Sequence, residues 1–444
     1  MNKFLLIAVL IVLLLIPTFM INGVLKDRKE YRNTVISEIT QSIGKSQVIE
    51  GVFFAIPYSR LVDKKVAVPI KDKTQSMTIT REEKIKRFKY LMPEMTTIHV
   101  SADSKTLYRG IYKVPLYKAK VNITGYFKIS KAPDIFKKIG PIKERKPFLI
   151  LALNDTRGLN SNILLKINGE ETEVLPGSNS PLFAKGLHSH LNNNYKNYER
   201  IDFSYEFELQ GTEKISFLPS SKNSNVSISS DWHHPSFVGT FIPKSRSISK
   251  DGFTASWEIS PFNSDAQRNF YDCSENKKCK EFQGSSFGVS LYEGGDIYKK
   301  VERSIKYAIM FILLTFTSLF LFEVLAKIVI HPIQYTLVGV ALVLFYLLLL
   351  ALSEHMNFAF SYTLASLSCL SLLGYYLSFI LGSVKKGLVF AFTLLVLYFV
   401  LYFILLSQDY ALLMGTILLF VLLGMIMIFT RHVNWHEVQK NYKK

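Results

Sequence analysis

The segment HPIQYTLVGVALVLFYLLLLALSEH, His331 to His355, decides the fold class. Between Ile333 and Leu352 it has 20 consecutive residues without a charge. At a rise of about 1.5 Å per residue, a helix of that length is about 30 Å long, which matches the hydrocarbon core of a bilayer. The segment therefore predicts a transmembrane helix with polar residues at both ends.

Other apolar stretches extend this assignment to a polytopic α-helical membrane protein. The first, Phe4 to Leu25, is too long for the apolar region of a signal peptide and has no small-x-small cleavage site after Pro17, so we expect an uncleaved anchor. We expect one N-terminal anchor helix plus a five-helix C-terminal bundle. Besides Ile333 to Leu352, the bundle stretches are Ile305 to Val329, Phe358 to Leu381, Gly387 to Leu406 and Tyr410 to Phe429.

Charge divides the rest of the chain. Residues 26–302 contain 43 Lys and Arg and 31 Asp and Glu, whereas residues 303–444 contain only 9 basic and 4 acidic residues. The predicted domains are therefore an N-terminal transmembrane anchor (1–25), a large polar domain (26–302), a five-helix transmembrane domain (303–430) and a basic tail (431–444).

The polar domain has the period-two pattern of β-strands. Apolar and polar residues alternate in VNITGYFKI (121–129), SNILLKING (161–169) and RIDFSYEFEL (200–209), and Asn, Gly, Pro and Ser clusters separate such stretches. The pattern predicts a mainly β (α+β) domain built on a largely antiparallel, half-buried sheet. Before it, Tyr31, Val35, Ile39 and Ile43 recur every four residues, which predicts that the first helix continues beyond the anchor.

The short loops predict the orientation in the membrane. Loops on one side and the tail carry seven basic residues, whereas SEHMN (353–357) and SQD (407–409) on the other side carry none. Because basic residues concentrate in cytoplasmic loops, both termini are predicted to be cytoplasmic and residues 26–302 to be exported. The seven are Lys327, Lys385, Lys386, Arg431, Lys440, Lys443 and Lys444.

Several motifs along nearly the whole chain resemble the CreD family of bacterial inner-membrane proteins, which are called cell envelope integrity proteins. In the apolar part they are RSIKYAIMFILLTF, the segment from His331 to His355, DYALLMGT and TRHVNW; in the polar part they are LYRGIY, NDTRGL and DWHHPSFVGTFIP. The sequence departs from the family in having Val52 after Gly51, where the family tends to have Pro. It also has Trp232-His233-His234-Pro235 where the family favours Trp-Pro-His-Pro.

The resemblance implies a one-plus-five helix layout with a large periplasmic domain. It also implies a role in envelope maintenance, linked to a two-component stress or nutrient response and to colicin tolerance. The family has no agreed enzymatic activity, so the resemblance assigns no catalytic residues.

Candidate residues of the polar domain lie in three motifs. NDTRGL predicts a turn closed by Gly158, in which Asp155 and Arg157 pair locally. DWHHPSF predicts a rigid corner, in which Trp232 and Phe237 fill a core and Pro235 fixes the backbone. Cys273 and Cys279 are candidates for a small disulfide, which would stabilise by about 2 kcal/mol, or for two exposed thiols.

The polar domain also contains two pairs of histidines. On a strand, His188 and His190 would share a face and reach one metal ion, whereas His233 and His234 would point to opposite faces. No acidic or cysteine ligand follows at a diagnostic spacing, so surface histidines are favoured over a metal site.

The membrane domain has polar residues at both helix ends. Glu323, Lys327 and His331 have the spacing of one helix face, and Gln334 and Tyr335 follow in the HPIQY motif. On the other side are Ser353, Glu354, His355 and Asp409. These residues indicate either interfacial anchoring, which we favour, or a proton or ligand path.

The sequence contains none of the motifs GxSxG, HExxH, Walker A or GxGxxG, and consecutive Ser353, Glu354 and His355 cannot form a catalytic relay because they point about 100° apart. The preferred hypothesis is a non-enzymatic protein of envelope integrity without a cofactor. Its partners would be membrane lipids, anionic envelope components or other envelope proteins, and not nucleic acid. A transporter or lipid-handling protein is the alternative, and a membrane-bound hydrolase is a third, more distant one.

Overall fold

The computed structural model describes residues 3–69, 76–129, 143–144, 146–160, 162–191, 198–291, 297–326, 328–407 and 410–431. The chain divides into two compact units. The helical unit comprises Met1–Thr34 and Gly294–Lys444, and the β unit comprises Val35–Glu293. The helical unit thus includes segments 26–34 and 294–302, which the charge pattern assigned to the polar domain.

The helical unit contains the apolar segments. Among the described residues, four helices are long and apolar enough to cross a membrane, and a fifth candidate is the pair Ile297–Lys306 and Ala308–Val324, bent by 45°. Helix α1 continues past the anchor to Ile43, which confirms the extension predicted from its apolar stripe. The helices are α1 (Lys3–Ile43), α4 (Ile297–Lys306), α5 (Ala308–Ala326), α6 (Pro332–Ser353), α7 (Phe358–Ile380), α8 (Val384–Leu406) and α9 (Ala411–Thr430).

One prediction for this unit is wrong. Glu323 and His331 do not lie along one helix, because α5 ends at Ala326 and His331 is the N-cap of α6. Pro332 explains why His331 is extended, since proline disfavours helical geometry in the residue before it. Lys327, the middle member of the predicted row, lies outside the described residues.

The β unit is built from two sheets, here called sheets A and B. In the described part of the chain, sheet A has nine strands and sheet B has eight. Sheet A contains β1 (Gln47–Pro69), β2 (Ser76–Leu91), β5 (Lys143–Glu144), β6 (Phe148–Leu153), β9 (Leu175–Pro176), β10 (Gly186–His190), β12 (Lys214–Phe217), β14 (Ser236–Gly239) and β17 (Phe287–Ser290). Sheet B contains β3 (Met95–Arg109), β4 (Tyr112–Lys128), β7 (Leu164–Ile167), β8 (Glu170–Glu171), β11 (Arg200–Thr212), β13 (Asn223–Ser230), β15 (Ser245–Ser249) and β16 (Gly252–Ile259).

The two sheets contain the strands that the alternation of apolar and polar residues predicts. Sheet A has the order β14-β17-β12-β1-β6-β10-β9, with β2 and β5 also paired to β1, and sheet B has the order β15-β16-β13-β3-β4-β11-β7-β8. The predicted strands within 121–129, 161–169 and 200–209 are present as β4, β7 and β11. Pairing is largely antiparallel as predicted, with β1–β12 and β13–β3 as parallel pairs.

The core of the β unit lies between inward-facing residues of both sheets. One continuous apolar cluster includes Phe54 and Leu151 of sheet A with Val121, Ile228 and Trp257 of sheet B. A second cluster on sheet A, around Phe53, receives Phe270 and Phe282 from two short helices, α2 (Ala266–Asn276) and α3 (Lys280–Gly284). Burial of such alternating residues on one face is what specifies the register of each strand.

Candidate functional site

The NDTRGL turn closes the end of helix α1. The Arg157 guanidinium donates to both carboxylate oxygens of Asp155, at 2.6 and 3.0 Å, and its Nη1 donates to the Gln41 carbonyl at 2.7 Å. Gln41 belongs to the last turn of α1, where backbone carbonyls have no partner within the helix. Arg157 therefore caps the helix C-terminus, and the local pairing expected from the sequence is present together with this second contact.

The Asp155 carboxyl group is 3% exposed and also accepts a bond from Lys185 Nζ at 3.3 Å. The Arg157 guanidinium, which donates to it, holds the pKa of Asp155 well below its usual range, and Lys185 adds to this effect against the opposing effect of burial. A lowered pKa means that the ionised carboxylate stabilises the fold above the ordinary carboxyl pKa of about 4. That contribution is lost as pH falls towards the lowered pKa.

We expect Asp155→Asn to lower the free energy of unfolding of the β unit by roughly 2 kcal/mol near neutral pH, because charge-assisted hydrogen bonds are lost. The difference from the wild type should shrink as the pH falls below about 4, since the Asp155 carboxylate of the unfolded chain then takes up a proton while that of the folded chain stays ionised down to its lowered pKa. Urea unfolding of the full chain in detergent, followed by pulse proteolysis at several pH values, measures this. Asp202→Asn is the control, since the Asp202–Arg200 pair is exposed and should change little. A pH-independent difference would contradict the assignment.

The DWHHPSF corner lies between β13 and β14. Trp232 is 9% exposed within the main core cluster, and its indole Nε1 donates to the His234 carbonyl at 3.0 Å. The Phe237 ring packs against those of Phe253 and Trp257, with centroids 6.0 and 6.1 Å apart. Half-buried Pro235 precedes β14.

The Cys273–Cys279 pair and the His188–His190 pair each make contacts within the β unit. Cys273 and Cys279 are joined by a disulfide between α2 and α3. His188 and His190 share a face of β10, as predicted, with ring centroids 5.3 Å apart, and His188 Nδ1 donates to the Gly177 carbonyl at 2.7 Å. Among the described residues, no three side chains of His, Cys, Asp or Glu come together as a metal site.

Glu323 is the buried carboxylate of the helical unit. Its side chain accepts from the Tyr335 hydroxyl at 2.7 Å and from the Ile330 amide at 3.0 Å, and the residue is fully buried. The next two candidates form a capping box: His331 Nδ1 accepts from the Ile333 amide, and Gln334 accepts from the His331 amide at 2.9 Å. These contacts satisfy amide groups at the N-terminus of α6. The HPIQY motif is therefore the start of a helix, and Tyr335, the fourth residue after the cap, also binds Glu323.

The SEH motif is at the other end of α6. Ser353 is the buried last residue of α6, and His355 is exposed. Glu354 accepts from the Tyr298 hydroxyl at 3.2 Å and lies 3.7 Å from Arg28 Nε. Asp409 lies outside the described residues.

Sequence reasoning missed a group of buried hydroxyls between α6, α7 and α8. Tyr346 is fully buried, and its hydroxyl has no hydrogen-bond partner within the described part of the chain. Tyr398 is 2% exposed, and its hydroxyl lies beside the Cys369 thiol. The Phe345 ring contacts the rings of both and that of Tyr362, whose hydroxyl donates to the Tyr398 carbonyl at 2.8 Å. Buried tyrosine hydroxyls are normally satisfied, so this group is a polar interruption of an apolar bundle.

Sheet B has a concave face in the described part of the chain, which we call the trough. Adjoining concavities of about 450, 330 and 550 Å³ share lining residues, among them Ser101, Ser229, His99 and Ser227. The strand register aligns the outward-facing residues of neighbouring strands in rows that run across the sheet. Because neighbouring strands lie about 4.8 Å apart, so do neighbouring residues within a row. One row is Ser245, Ser256, Ser227, His99, Asn122 and Glu206, and the next is Ser247, Thr254, Ser229, Ser101 and Lys120.

The trough is concave because its central residues are short. Serine has no particular preference for strands, so its repetition on one face is not explained by sheet formation. Inward neighbours such as Val226 and Ile228 are buried and supply the packing. Since a hydroxyl both donates and accepts, the rows present hydrogen-bonding groups over a length of about 20 Å.

The trough contains one contact of a kind that is also found in catalytic sites. His99 Nδ1 and Ser227 Oγ are 2.6 Å apart, which resembles a nucleophile with its base. However, β13 has a hydrogen-bonded neighbour on each side, so the sheet ladders use its amide groups. No pair of free backbone amides is then available on this strand to stabilise an oxyanion.

The fold and these sites define a polytopic membrane protein with a large β-rich unit. The chain belongs to the CreD family, because the family model described as "Inner membrane protein CreD" matches residues 1–436. The chain is also similar to Inner membrane protein CreD of Escherichia coli (strain K12), with 33% identity over 426 residues that cover 96% of this chain and 91% of that protein. The resemblance noted from the sequence motifs is thus confirmed, and both descriptions refer to a membrane location rather than to a reaction.

Proposed function

We propose that the chain supports the integrity of the cell envelope and acts through its β unit, whose trough is the interaction surface. The observation that carries the proposal is the repetition of short hydroxyl side chains in register across neighbouring strands of sheet B. A face of this kind offers many weak, non-covalent contacts, which is appropriate for holding an envelope component and not for transforming it. Membership of a family of inner-membrane proteins supports a location in the inner membrane.

The proposed topology has six spans, with both termini in the cytoplasm and the β unit in the periplasm. The spans are α1, the bent α4–α5 pair, α6, α7, α8 and α9. Seven basic residues in the loops and tail on one side, against none in the short loops on the other, support this orientation. The disulfide between Cys273 and Cys279 fits an oxidising compartment.

Cysteine labelling tests the orientation. We expect cysteines placed at Asn357 and Ser407 to react with an impermeant thiol reagent in intact spheroplasts, and cysteines at Ser383 and Asn441 to react only after lysis. Cys369 is buried and serves as the unlabelled background. The opposite pattern would mean that the membrane domain is inverted.

A transport function is the second candidate, because Glu323 and the tyrosine hydroxyls are buried in the helical unit. Ionisable groups within membrane helices often mark ion or proton paths. Against this, Glu323 lies one turn from the end of α5, and its contacts with Tyr335 and Ile330 join the end of α5 to the start of α6. Such contacts are those of an anchor between helix ends.

Rescue of a strain that lacks the gene for this protein distinguishes the interaction function from the transport function. We expect Ser101→Arg with Ser229→Arg to fill the trough and abolish rescue of detergent or colicin sensitivity, since both side chains face outward and the core is untouched. Glu323→Gln and Glu354→Gln should leave most of the rescue. The control is Glu171→Arg, on the far edge of the same sheet. Protein abundance is followed by immunoblot. If the carboxylate changes abolish rescue at normal abundance and the trough changes do not, transport replaces the interaction function.

A further inference from the structure

Helix α4 has one buried face and one cationic face. Tyr298, Val301 and Ile305 are buried, whereas Lys299 and Lys306 are exposed. The helix is bent by 45° from the apolar helix α5 that follows it. A short amphipathic helix set obliquely to a membrane span, with Lys and Arg on its polar face, is typical of a segment in the headgroup region of a bilayer.

Cationic residues of α1 meet α4 at this end of the helical unit. Lys29 Nζ is 3.0 Å from Glu302 Oε2, and the Arg32 guanidinium lies over the Tyr298 ring at 5.7 Å. Among the described residues, segments 26–32 and 297–306 together with Glu354 contain eight basic and four acidic residues. These described segments therefore carry a net positive charge.

The position along the helices is that of lipid headgroups. The charged segment of α1 follows its apolar run, which ends at Leu25, and Lys306 lies two residues before the first residue of the apolar α5. Glu354, which contacts Arg28 and Tyr298, marks the end of α6. The ends of three apolar helices thus coincide with the excess of positive charge.

We propose that Lys299, Arg303 and Lys306 bind the phosphate of an anionic phospholipid at this end of the helical unit. Their spacing of i, i+4 and i+7 places them on one face of α4, over about 10 Å of its length. The arginine fork and the two ammonium groups are suited to phosphate oxygens. The ligand is a lipid and not free phosphate, because the exposed apolar side chains of Ile309 and Leu313 follow on α5 as a surface for the acyl chains.

Native mass spectrometry of the full chain in detergent with added lipid tests the proposal. We expect dioleoyl phosphatidylglycerol to be retained in preference to dioleoyl phosphatidylcholine, with weaker retention as ionic strength rises. Changing Lys299, Arg303 and Lys306 together to Gln should reduce the affinity for phosphatidylglycerol by roughly 100-fold, taking a similar contribution from each cation. Inorganic phosphate at the same concentration should not displace the lipid.

A control variant with Lys244→Gln, Arg246→Gln and Lys250→Gln removes three charges from the β unit and should retain the lipid. The charge-conserving variant Lys299→Arg, Arg303→Lys and Lys306→Arg should bind as the wild type does, which separates loss of charge from loss of folding. Equal retention of both lipids by the wild type would overturn the proposal. So would unchanged binding in the Gln variant, or displacement of the lipid by inorganic phosphate.

Discussion

Trp232→Ala is expected to lower the free energy of unfolding of the β unit by about 3–5 kcal/mol, because it leaves a cavity where a large aromatic side chain is buried. Trp232 belongs to the main core cluster and holds the bend before β14 through its bond to the His234 carbonyl. Its loss therefore removes core packing and a turn contact together. Since an energy of this size is a large part of the stability of a typical domain, rescue of envelope sensitivity should also be abolished.

Pulse proteolysis of the full chain in urea, with the fragments of the β unit identified by mass spectrometry, measures the change. His233→Ala is the matched control, because His233 is the adjacent residue and is exposed. Trp232→Phe should be intermediate, since it keeps an aromatic ring but loses the indole donor. Equal urea midpoints for Trp232→Ala and His233→Ala would show that the corner is not part of the core.

Gly158→Ala is expected to destabilise the β unit by about 2–3 kcal/mol, because the added methyl group has no room. A Cβ atom at this position would lie 1.9 Å from the Gln210 carbonyl oxygen and 3.0 Å from Gln47 Nε2. The Gly158 carbonyl also accepts from the Gln210 amide at 2.7 Å. Relief of the overlap must therefore separate the NDTRGL turn from the end of β11.

The same proteolysis assay tests this change, with Gly284→Ala as the control. A Cβ at Gly284 meets nothing within 4 Å, and its backbone is not left-handed. Protease should also reach the end of α1 in Gly158→Ala, because the turn carries Arg157 to the Gln41 carbonyl. Unchanged stability of both variants would contradict the close approach of the two backbones.

Features that depend on residues close together in the sequence were predicted correctly. The alternation in RIDFSYEFEL predicts β11, because a strand with one buried face must place apolar residues at every second position. The pairing of Asp155 with Arg157 was also predictable, since the two residues are close in sequence and of opposite charge. In contrast, the bond from Arg157 to Gln41 joins residues 116 positions apart, and no local pattern indicates it.

Two other features lay beyond sequence reasoning for physical reasons. The trough residues Ser101 and Ser229 look like any solvated face until the parallel register of β3 and β13 places them side by side. At the start of α6, helical spacing favoured a row from Glu323 to His331, but the capping box and Pro332 begin a new helix there. Spacing alone does not detect a break when the residues on both sides keep the helical period.

The position of β17 in sheet A has a consequence for how the protein is made. β17 pairs with both β12 and β14, and β12 also pairs with β1, where Gln47 lies opposite Ile215 although the two residues are far apart in the chain. Sheet A is therefore incomplete until Ser290 has been synthesised, shortly before the residues of α4. Non-local pairing of this kind closes slowly and leaves strand edges open to wrong partners. The early strands thus need protection throughout the synthesis of the β unit, and a chain ending before Phe287 would expose the edges of both β12 and β14.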